Sequence, residues 1–193
     1  MNVRSLRCLP LLLFAMLVLT SPALATPIAL GIWNEFGFST VGTLATGCDP
    51  ADPSGPFCIP SGGTPTSFVG APPWTFNSAV STQLTVTDAF AIGDRFQIFD
   101  FGVSIGLTSA PVGTGDCGDD PVPCLANPNV SHALFNLAAG AHSITIIPTL
   151  APGGGGAGYF IVNTAAAAVP EPSTWLLLGS GLITLVCVRR RSK

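Results

Sequence analysis

The stretch STQLTVTDAF, residues 81–90, alternates apolar and polar side chains. Leu84 and Val86 fall on one side of an extended chain, and Thr85 and Thr87 fall on the other side. Alternation with a period of two is typical of a β-strand that buries one face. The sequence therefore predicts a half-buried strand here, and neighbouring segments repeat its pattern.

The segments that follow predict two hairpins. IGDRFQIFDFGVSIGLTS (residues 92–109) turns at Gly102, and HALFNLAAGAHSITIIPTL (residues 132–150) turns at Ala139-Gly140. Further strands are predicted within LGIWNEFGF (30–38), PWTFNSA (73–79) and YFIVNTA (159–165). Because Gly and Pro separate short runs rich in Val, Ile, Thr and Phe, we predict an all-β domain. The expected architecture is a single antiparallel β-sandwich, jelly-roll-like, between a signal peptide and a single transmembrane helix.

The N-terminus has the three parts of a secretory signal peptide. Arg4 and Arg7 precede an apolar run from Leu9 to Leu19, and a small-x-small pattern follows at Ala23 and Ala25. We predict cleavage of residues 1–25, so that the mature chain begins at Thr26. An N-terminal anchor is less favoured, because the apolar run is short and is followed by a cleavage motif.

The C-terminus predicts a short membrane span. Trp175 to Val188 is 14 residues, or about 21 Å as a helix, against a hydrocarbon core of roughly 30 Å. The span is therefore expected to insert only marginally. The basic cluster that follows should hold the C-terminus in the cytoplasm, and consists of Arg189, Arg190, Arg191 and Lys193.

Val169, Pro170, Glu171 and Pro172 precede this span, and the two prolines keep the segment extended. The whole stretch VPEPSTWLLLGSGLITLVCVRRR, residues 169–191, resembles the PEP-CTERM sorting signal, also named an ice-binding-protein C-terminal domain. The resemblance implies a membrane-embedded exosortase that cleaves near Pro170-Glu171-Pro172, in a Gram-negative bacterium that makes exopolysaccharide. An ordinary single-span anchor with a proline stalk is the alternative. Regular threonine arrays are absent from the sequence, so ice binding is not predicted.

The sequence thus divides into residues 1–25, an ectodomain at residues 26–164, and a linker with the sorting tail at residues 165–193. Residues 26–169 contain nine acidic residues and one basic residue, Arg95, so their net charge is 1 − 9 = −8. A surface of this charge is repelled by nucleic acid, which we exclude as a partner. Solubility alone also accounts for such a surface.

The ectodomain contains an even number of cysteines: Cys48, Cys58, Cys117 and Cys124. In an exported domain this predicts disulfides. Four cysteines allow three connectivities, and the spacing favours the local pairs Cys48–Cys58 and Cys117–Cys124. Zinc is less favoured, because there is no C-x-x-C pair and no histidine lies close to a cysteine.

The search for catalytic and metal-binding residues gives only weak candidates. His132 and His142 are expected to be structural or solvated, and Glu35 is more easily an outward-facing strand residue than an acid in an aromatic cleft. The aspartates could hold calcium, although turn chemistry explains most of them and calcium is not favoured; they are Asp88, Asp94, Asp100, Asp116, Asp119 and Asp120. Trp33 and Trp74 are candidate ligand aromatics, with Trp74 either stacking on a sugar or capping the core. No catalytic residue, cofactor or metal is predicted.

The expected function is that of an exported, non-enzymatic protein of the cell surface or extracellular matrix, associated with exopolysaccharide. It would start as a membrane-anchored precursor, with signal peptidase and an exosortase as processing partners and extracellular polysaccharide as a further candidate partner. The strand rhythm of residues 84–146 also resembles that of carbohydrate-binding-module-like ectodomains. A carbohydrate-binding module, with or without calcium, is therefore the alternative, and a hydrolase that uses Glu35 or a histidine is a third hypothesis.

Overall fold

The computed structural model describes residues 25–48 and 58–165. The predicted signal peptide, the sorting segment, the apolar span and the basic cluster lie outside these residues. Among the described residues, no helix has the length and apolar character that a membrane crossing requires.

The described chain is built almost entirely of β-strands, as the alternation predicted. It also contains one short helix, α1 (Pro121–Ala126), in the second predicted cysteine loop. The strands are β1 (Thr26–Pro27), β2 (Trp33–Phe38), β3 (Thr46–Gly47), β4 (Thr66–Phe68), β5 (Trp74–Ser78), β6 (Thr82–Asp88), β7 (Arg95–Asp100), β8 (Val103–Leu107), β9 (His132–Leu137), β10 (Gly140–Leu150) and β11 (Gly156–Thr164).

The strands form two sheets. Sheet I has the order β1-β5-β10-β7-β8, and sheet II has the order β3-β2-β11-β6-β9, with β4 also paired to β2. Without the short strands β1, β3 and β4, four strands remain in each sheet, in the order of a jelly roll. All pairs among these eight strands are antiparallel. This agrees with the predicted antiparallel pairing, and the short strands β1 and β4 depart from it by pairing in parallel with β5 and β2 respectively.

One of the two predicted hairpins exists. β7 and β8 pair directly, with Phe101 and Gly102 at their turn, both at positive φ. The second prediction is wrong: β9 pairs with β6 in sheet II, whereas β10 pairs with β5 and β7 in sheet I. The strands of a hairpin and the strands of two facing sheets can carry the same apolar alternation, because both can point their side chains into one core.

The two sheets share one apolar core. Phe36 and Phe160 of sheet II pack against Trp74 of sheet I, with ring centroids 5.8 Å and 5.0 Å from Trp74 respectively. Phe96 of sheet I lies edge-on to Phe36 at 5.3 Å. Trp74 is fully buried, and its indole Nε1 donates to the Gly70 carbonyl at 2.8 Å.

A second apolar cluster covers the outer face of sheet II. It contains Trp33, Ala89, Ala157, Tyr159 and Ile161, and Phe90 and Leu125 pack on it. Helix α1 lies against β6, so the threonine face of β6 is buried as well: Thr85 is 5% exposed and Thr87 is fully buried. The prediction of a half-buried strand is therefore wrong, since a cysteine-bearing loop covers the face expected to meet water.

Trp33 and Trp74 do not offer rings to a ligand. Trp74 lies inside the main core, and Trp33, in the second cluster, is only 8% exposed. The structure thus selects the core role for Trp74 and corrects the prediction of ligand aromatics at both positions.

Candidate functional site

The described residues contain two disulfides. They join Cys48 to Cys58 and Cys117 to Cys124, the local pairs that the spacing favoured. Three backbone hydrogen bonds tie the second loop to the chain after β6: Phe90 N to Gly118 O at 3.1 Å, Cys117 N to Phe90 O at 2.8 Å, and Ile92 N to Gly115 O at 2.9 Å. Phe90 has a backbone φ of 57°, which is a sparsely populated conformation. Hydrogen bonds at both its N–H and its carbonyl stabilise this conformation.

A cleft of about 320 Å³ is lined by three separate segments of the chain. Its walls come from Ile59 beside the first disulfide, from residues 89–94 braced by the second, and from the glycine-rich segment 152–157. Most of the surface is apolar, and the acidic side chain in the lining is Asp94. This combination of apolar walls and one polar group is typical of a small-molecule site, at the lower end of the usual size range.

Asp94 is only 8% exposed, and burial raises the pKa of its carboxyl to about 7. Within the described residues its carboxylate accepts no hydrogen bond. Its position is marked by Gly156, another lining residue: a Cβ added to Gly156 would lie 2.8 Å from Asp94 Oδ2. The glycine therefore leaves the space that the carboxyl group occupies at the cleft wall.

Asp88 lies next to Asp94 and differs from it in its hydrogen bonds. It is fully buried, but it accepts from three backbone amides, those of Ala89 at 2.8 Å, Gly93 at 3.2 Å and Asp94 at 3.0 Å. Burial and the charge of Asp94 raise the pKa of Asp88 to about 7, although these amides favour its ionised form. Because three amides stabilise the ionised form of Asp88 and none donates to Asp94 in the described residues, Asp94 is the more easily protonated of the two carboxyls.

Glu35 is fully buried, so the expectation of an outward-facing, solvated side chain is wrong. Its Oε1 accepts from Ile59 N at 3.1 Å, and its Oε2 has no hydrogen-bond partner among the described residues. Burial raises the pKa of Glu35 to about 7. Ile59 forms one wall of the cleft, and the hydrogen bond from its amide to Glu35 helps to position that wall. Glu35 itself does not line the cleft, so it is not placed to contact a substrate there.

The other titratable side chains considered as candidates mainly support the fold. Asp100 accepts from Ser143 N at 2.9 Å, and its other oxygen lies 2.7 Å from His142 Nδ1. His142 Nε2 meets the Ala138 carbonyl at 2.9 Å, and His132 Nδ1 meets the Val130 carbonyl at 2.8 Å. Histidines held in this way are structural.

The aspartates of the second disulfide loop serve turns and a helix cap. Asp116 Oδ1 accepts from Gly118 N at 2.6 Å, and Asp120 Oδ1 accepts from Val122 N at 3.0 Å at the start of α1. The carbonyl of Asp119 accepts from the Tyr159 hydroxyl at 3.1 Å. These contacts agree with the interpretation of the loop aspartates as turn residues.

The grouping most like a metal site among the described residues is Glu35 with Cys48 and Cys58. In the folded domain the two sulfur atoms are bonded to each other, so they do not supply the thiolates that a metal would need.

The cleft was hardly predictable from the sequence. Its parts lie in three separate segments, and each segment alone is typical of a turn: Gly93-Asp94, the run from Gly153 to Gly156, and the residue after Cys58. The cysteines and the glycine run could be recognised individually, but no signal in the sequence indicated that Ile59, Asp94 and the glycine run lie together.

Removal of the second disulfide should loosen one wall of the cleft. Changing Cys117 and Cys124 together to serine is expected to lower the free energy of unfolding by about 2.5 kcal/mol, because the cross-link closes a short loop in the unfolded chain. The amides of Phe90 and Ile92, which donate to that loop, should also exchange with solvent faster. Denaturant titration and hydrogen exchange measure the two effects.

The double serine variant of Cys48 and Cys58 is the matched control. It should lose a similar amount of stability and leave exchange at Phe90 and Ile92 close to that of the parent. Equal exchange at these amides in all three proteins would contradict the bracing role of the Cys117–Cys124 loop.

Comparison with known proteins gives one result, in the C-terminal tail. Residues 168–191 match the PEP-CTERM protein-sorting motif. No curated protein and no solved structure matches the chain. The match confirms the resemblance of the proline pair, the apolar segment and the arginines, and the tail of this chain is a PEP-CTERM protein-sorting motif.

Proposed function

We propose that this chain is an exported, non-enzymatic protein of the cell surface or extracellular matrix, and that its jelly-roll domain acts by binding. The observation that carries the proposal is the sorting motif at residues 168–191. A motif of this kind supports sorting through an exosortase, from a membrane-anchored precursor to the cell surface. Cleavage of the tail near Pro170-Glu171-Pro172, prior removal of residues 1–25 by signal peptidase, and association with exopolysaccharide are parts of the proposal.

The ectodomain supports an extracellular location independently of the tail. It contains two disulfides, which persist in oxidising compartments. Residues 26–169 also have a net charge of 1 − 9 = −8 and no lysine. A few charges of one sign keep an exported domain soluble and apart from its copies.

The contacts of the acidic and histidine side chains support binding rather than catalysis. Asp88, Asp100 and His142 hold backbone groups or each other, and Glu35 is covered from solvent. Asp94 is left as a lone acid in an apolar cleft. The carbohydrate-binding alternative had two grounds, the strand rhythm and the candidate aromatics Trp33 and Trp74, and the burial of both tryptophans removes the second.

Processing can be tested by mass spectrometry of the protein from its native host, after separation of membrane, cell-surface and medium fractions. We expect a mature species that begins at Thr26 and ends near Pro170. A variant with alanine at Pro170, Glu171 and Pro172 should keep residues 175–193 and remain in the membrane fraction, because the exosortase segment is lost while the apolar span remains.

The matched control changes Ser173 and Thr174 to alanine, which leaves the three motif residues in place. This control should be processed like the parent. A parent protein that retains Trp175 to Lys193 in every fraction would show a permanent anchor and would contradict the proposed cleavage.

A further inference from the structure

We infer that the cleft beside Asp94 binds a small amphipathic amine, with the ammonium group at the Asp94 carboxylate and the hydrocarbon part against Ile59, Phe90, Ile92 and Pro152. The inference rests on the proposed binding function and names the class of ligand for the same site. It starts from geometry: a side chain more than nine-tenths buried, without a hydrogen-bond donor in the described residues, lines an apolar cleft of about 320 Å³.

The polar environment of Asp94 favours a cation over the other ligand classes. An anion would be repelled by Asp94 and by the neighbouring Asp88, whose ionised form is stabilised by three backbone amides. A divalent metal ion takes six or more oxygens, whereas this cleft is walled mainly by carbon. An ammonium group needs one carboxylate and a few carbonyl oxygens, and the glycine-rich wall at residues 152–157 brings backbone close to the ligand space.

The apolar walls determine the remainder of the ligand. Ile59, Phe90, Ile92 and Pro152 surround the space beside the acid, and a short alkyl or aryl group would bury its surface there. A free inorganic cation such as ammonium would leave these walls uncovered. The charge of −8 on residues 26–169 also raises the local concentration of cations over anions.

Cation binding at Asp94 is linked to its protonation. Burial raises the pKa of Asp94 to about 7. The charged residues next to it are Asp88, which accepts from Asp94 N at 3.0 Å, and Arg95, whose Nε donates to the Thr108 carbonyl at 3.0 Å. An ammonium ion binds the ionised carboxylate, so binding below pH 7 must release the Asp94 proton into solvent. The affinity is therefore expected to rise about tenfold from pH 6 to pH 8, following the ionised fraction of one such acid.

The test is isothermal titration calorimetry on the exported protein, purified in whichever form the mass spectrum shows, cleaved or anchored. Three probes share one six-carbon body: hexylammonium, hexan-1-ol and hexanoate. At pH 8 we expect hexylammonium to bind at least tenfold more tightly than hexan-1-ol and hexanoate to bind least. At pH 6, buffers of different ionisation enthalpy should reveal one proton released per bound amine.

The variant Asp94→Asn removes the charge with little change of shape. It should lose the preference for hexylammonium over hexan-1-ol and the dependence on pH. The matched control is Asp120→Asn, which also removes one negative charge and leaves a good helix cap at α1. This control should bind hexylammonium like the parent.

Equal affinity for hexylammonium and hexan-1-ol in the parent protein would overturn the inference, and so would the absence of binding at millimolar concentrations. These two results need no variant, so they remain decisive if Asp94→Asn fails to fold. Because export and cleavage are measured separately, a chain that is sorted and processed yet binds no amine refutes only this inference.

Discussion

Replacing Trp74 by alanine is expected to lower the free energy of unfolding by about 3–5 kcal/mol, the range found for large aromatic residues removed from cores. Trp74 is fully buried between the sheets, where it contacts Phe36 and Phe160. The change opens a cavity between both sheets and leaves the Gly70 carbonyl without the indole donor. Denaturant unfolding with the disulfides intact would measure the loss.

Two variants separate packing from other effects. Trp74→Phe keeps a ring in the core and loses the hydrogen bond, so it should be less destabilised than the alanine variant. Val103→Ala removes apolar atoms from a side chain that is 68% exposed, and should stay within about 0.5 kcal/mol of the parent. A Trp74→Ala protein as stable as Val103→Ala would contradict the two-sheet core.

The domain is expected to lose stability as the pH rises from 5 to 8. Burial raises the folded-state pKa of Glu35 from 4.5 to about 7, so the folded chain holds a proton that the unfolded chain releases at lower pH. Stability must then fall as the pH rises between these two values, and it levels off above about 7. At about 1.4 kcal/mol per pKa unit, Glu35 alone accounts for a loss on the order of 3 kcal/mol.

The sign of this effect is opposite to that of a salt-bridged carboxylate, which makes it easy to recognise in thermal or denaturant unfolding at several pH values. Glu35→Gln keeps an oxygen for Ile59 N and cannot ionise. It should match the parent at pH 5 and exceed it in stability at pH 8. Asp94→Asn should flatten the remaining part of the profile, because burial also raises the pKa of Asp94. A parent whose stability rises from pH 5 to pH 8 would contradict the burial of these acids.

Strands could be predicted from the sequence where their apolar residues alternate with polar ones and point into the common core. Leu84, Val86, Phe96 and Ile98 were placed correctly for this reason, since their spacing alone fixes the inward side. The sequence could not assign β9 and β10 to different sheets, because their inward residues enter the same core from opposite sides. It also could not show the burial of Thr85 and Thr87, which depends on a loop more than twenty residues away.

The candidate site was much less predictable than the fold. The local disulfide pairs followed from spacing, but the contact of Glu35 with Ile59 joins residues 24 positions apart. Glu35 follows Asn34 in a strand and looks like a polar, outward position. Its carboxyl group lies beside Cys48, Cys58 and Ile59 in the folded domain and is buried there. Asp94 likewise reads as a turn residue until the segment at 152–157 is placed beside it.

The strand order also constrains when the domain can fold during export. β11, the last strand of the described residues, lies at the centre of sheet II between β2 and β6, so the sheet stays divided until residues 156–164 are available to pair. β2 and β6 cannot complete their pairing until β11 is present. Contacts of such long sequence separation form slowly. The sorting motif begins at residue 168, directly after this strand. If the chain is exported and sorted as proposed, we therefore expect the fold to be completed only as the tail reaches the membrane, so that the exosortase would meet a newly folded domain.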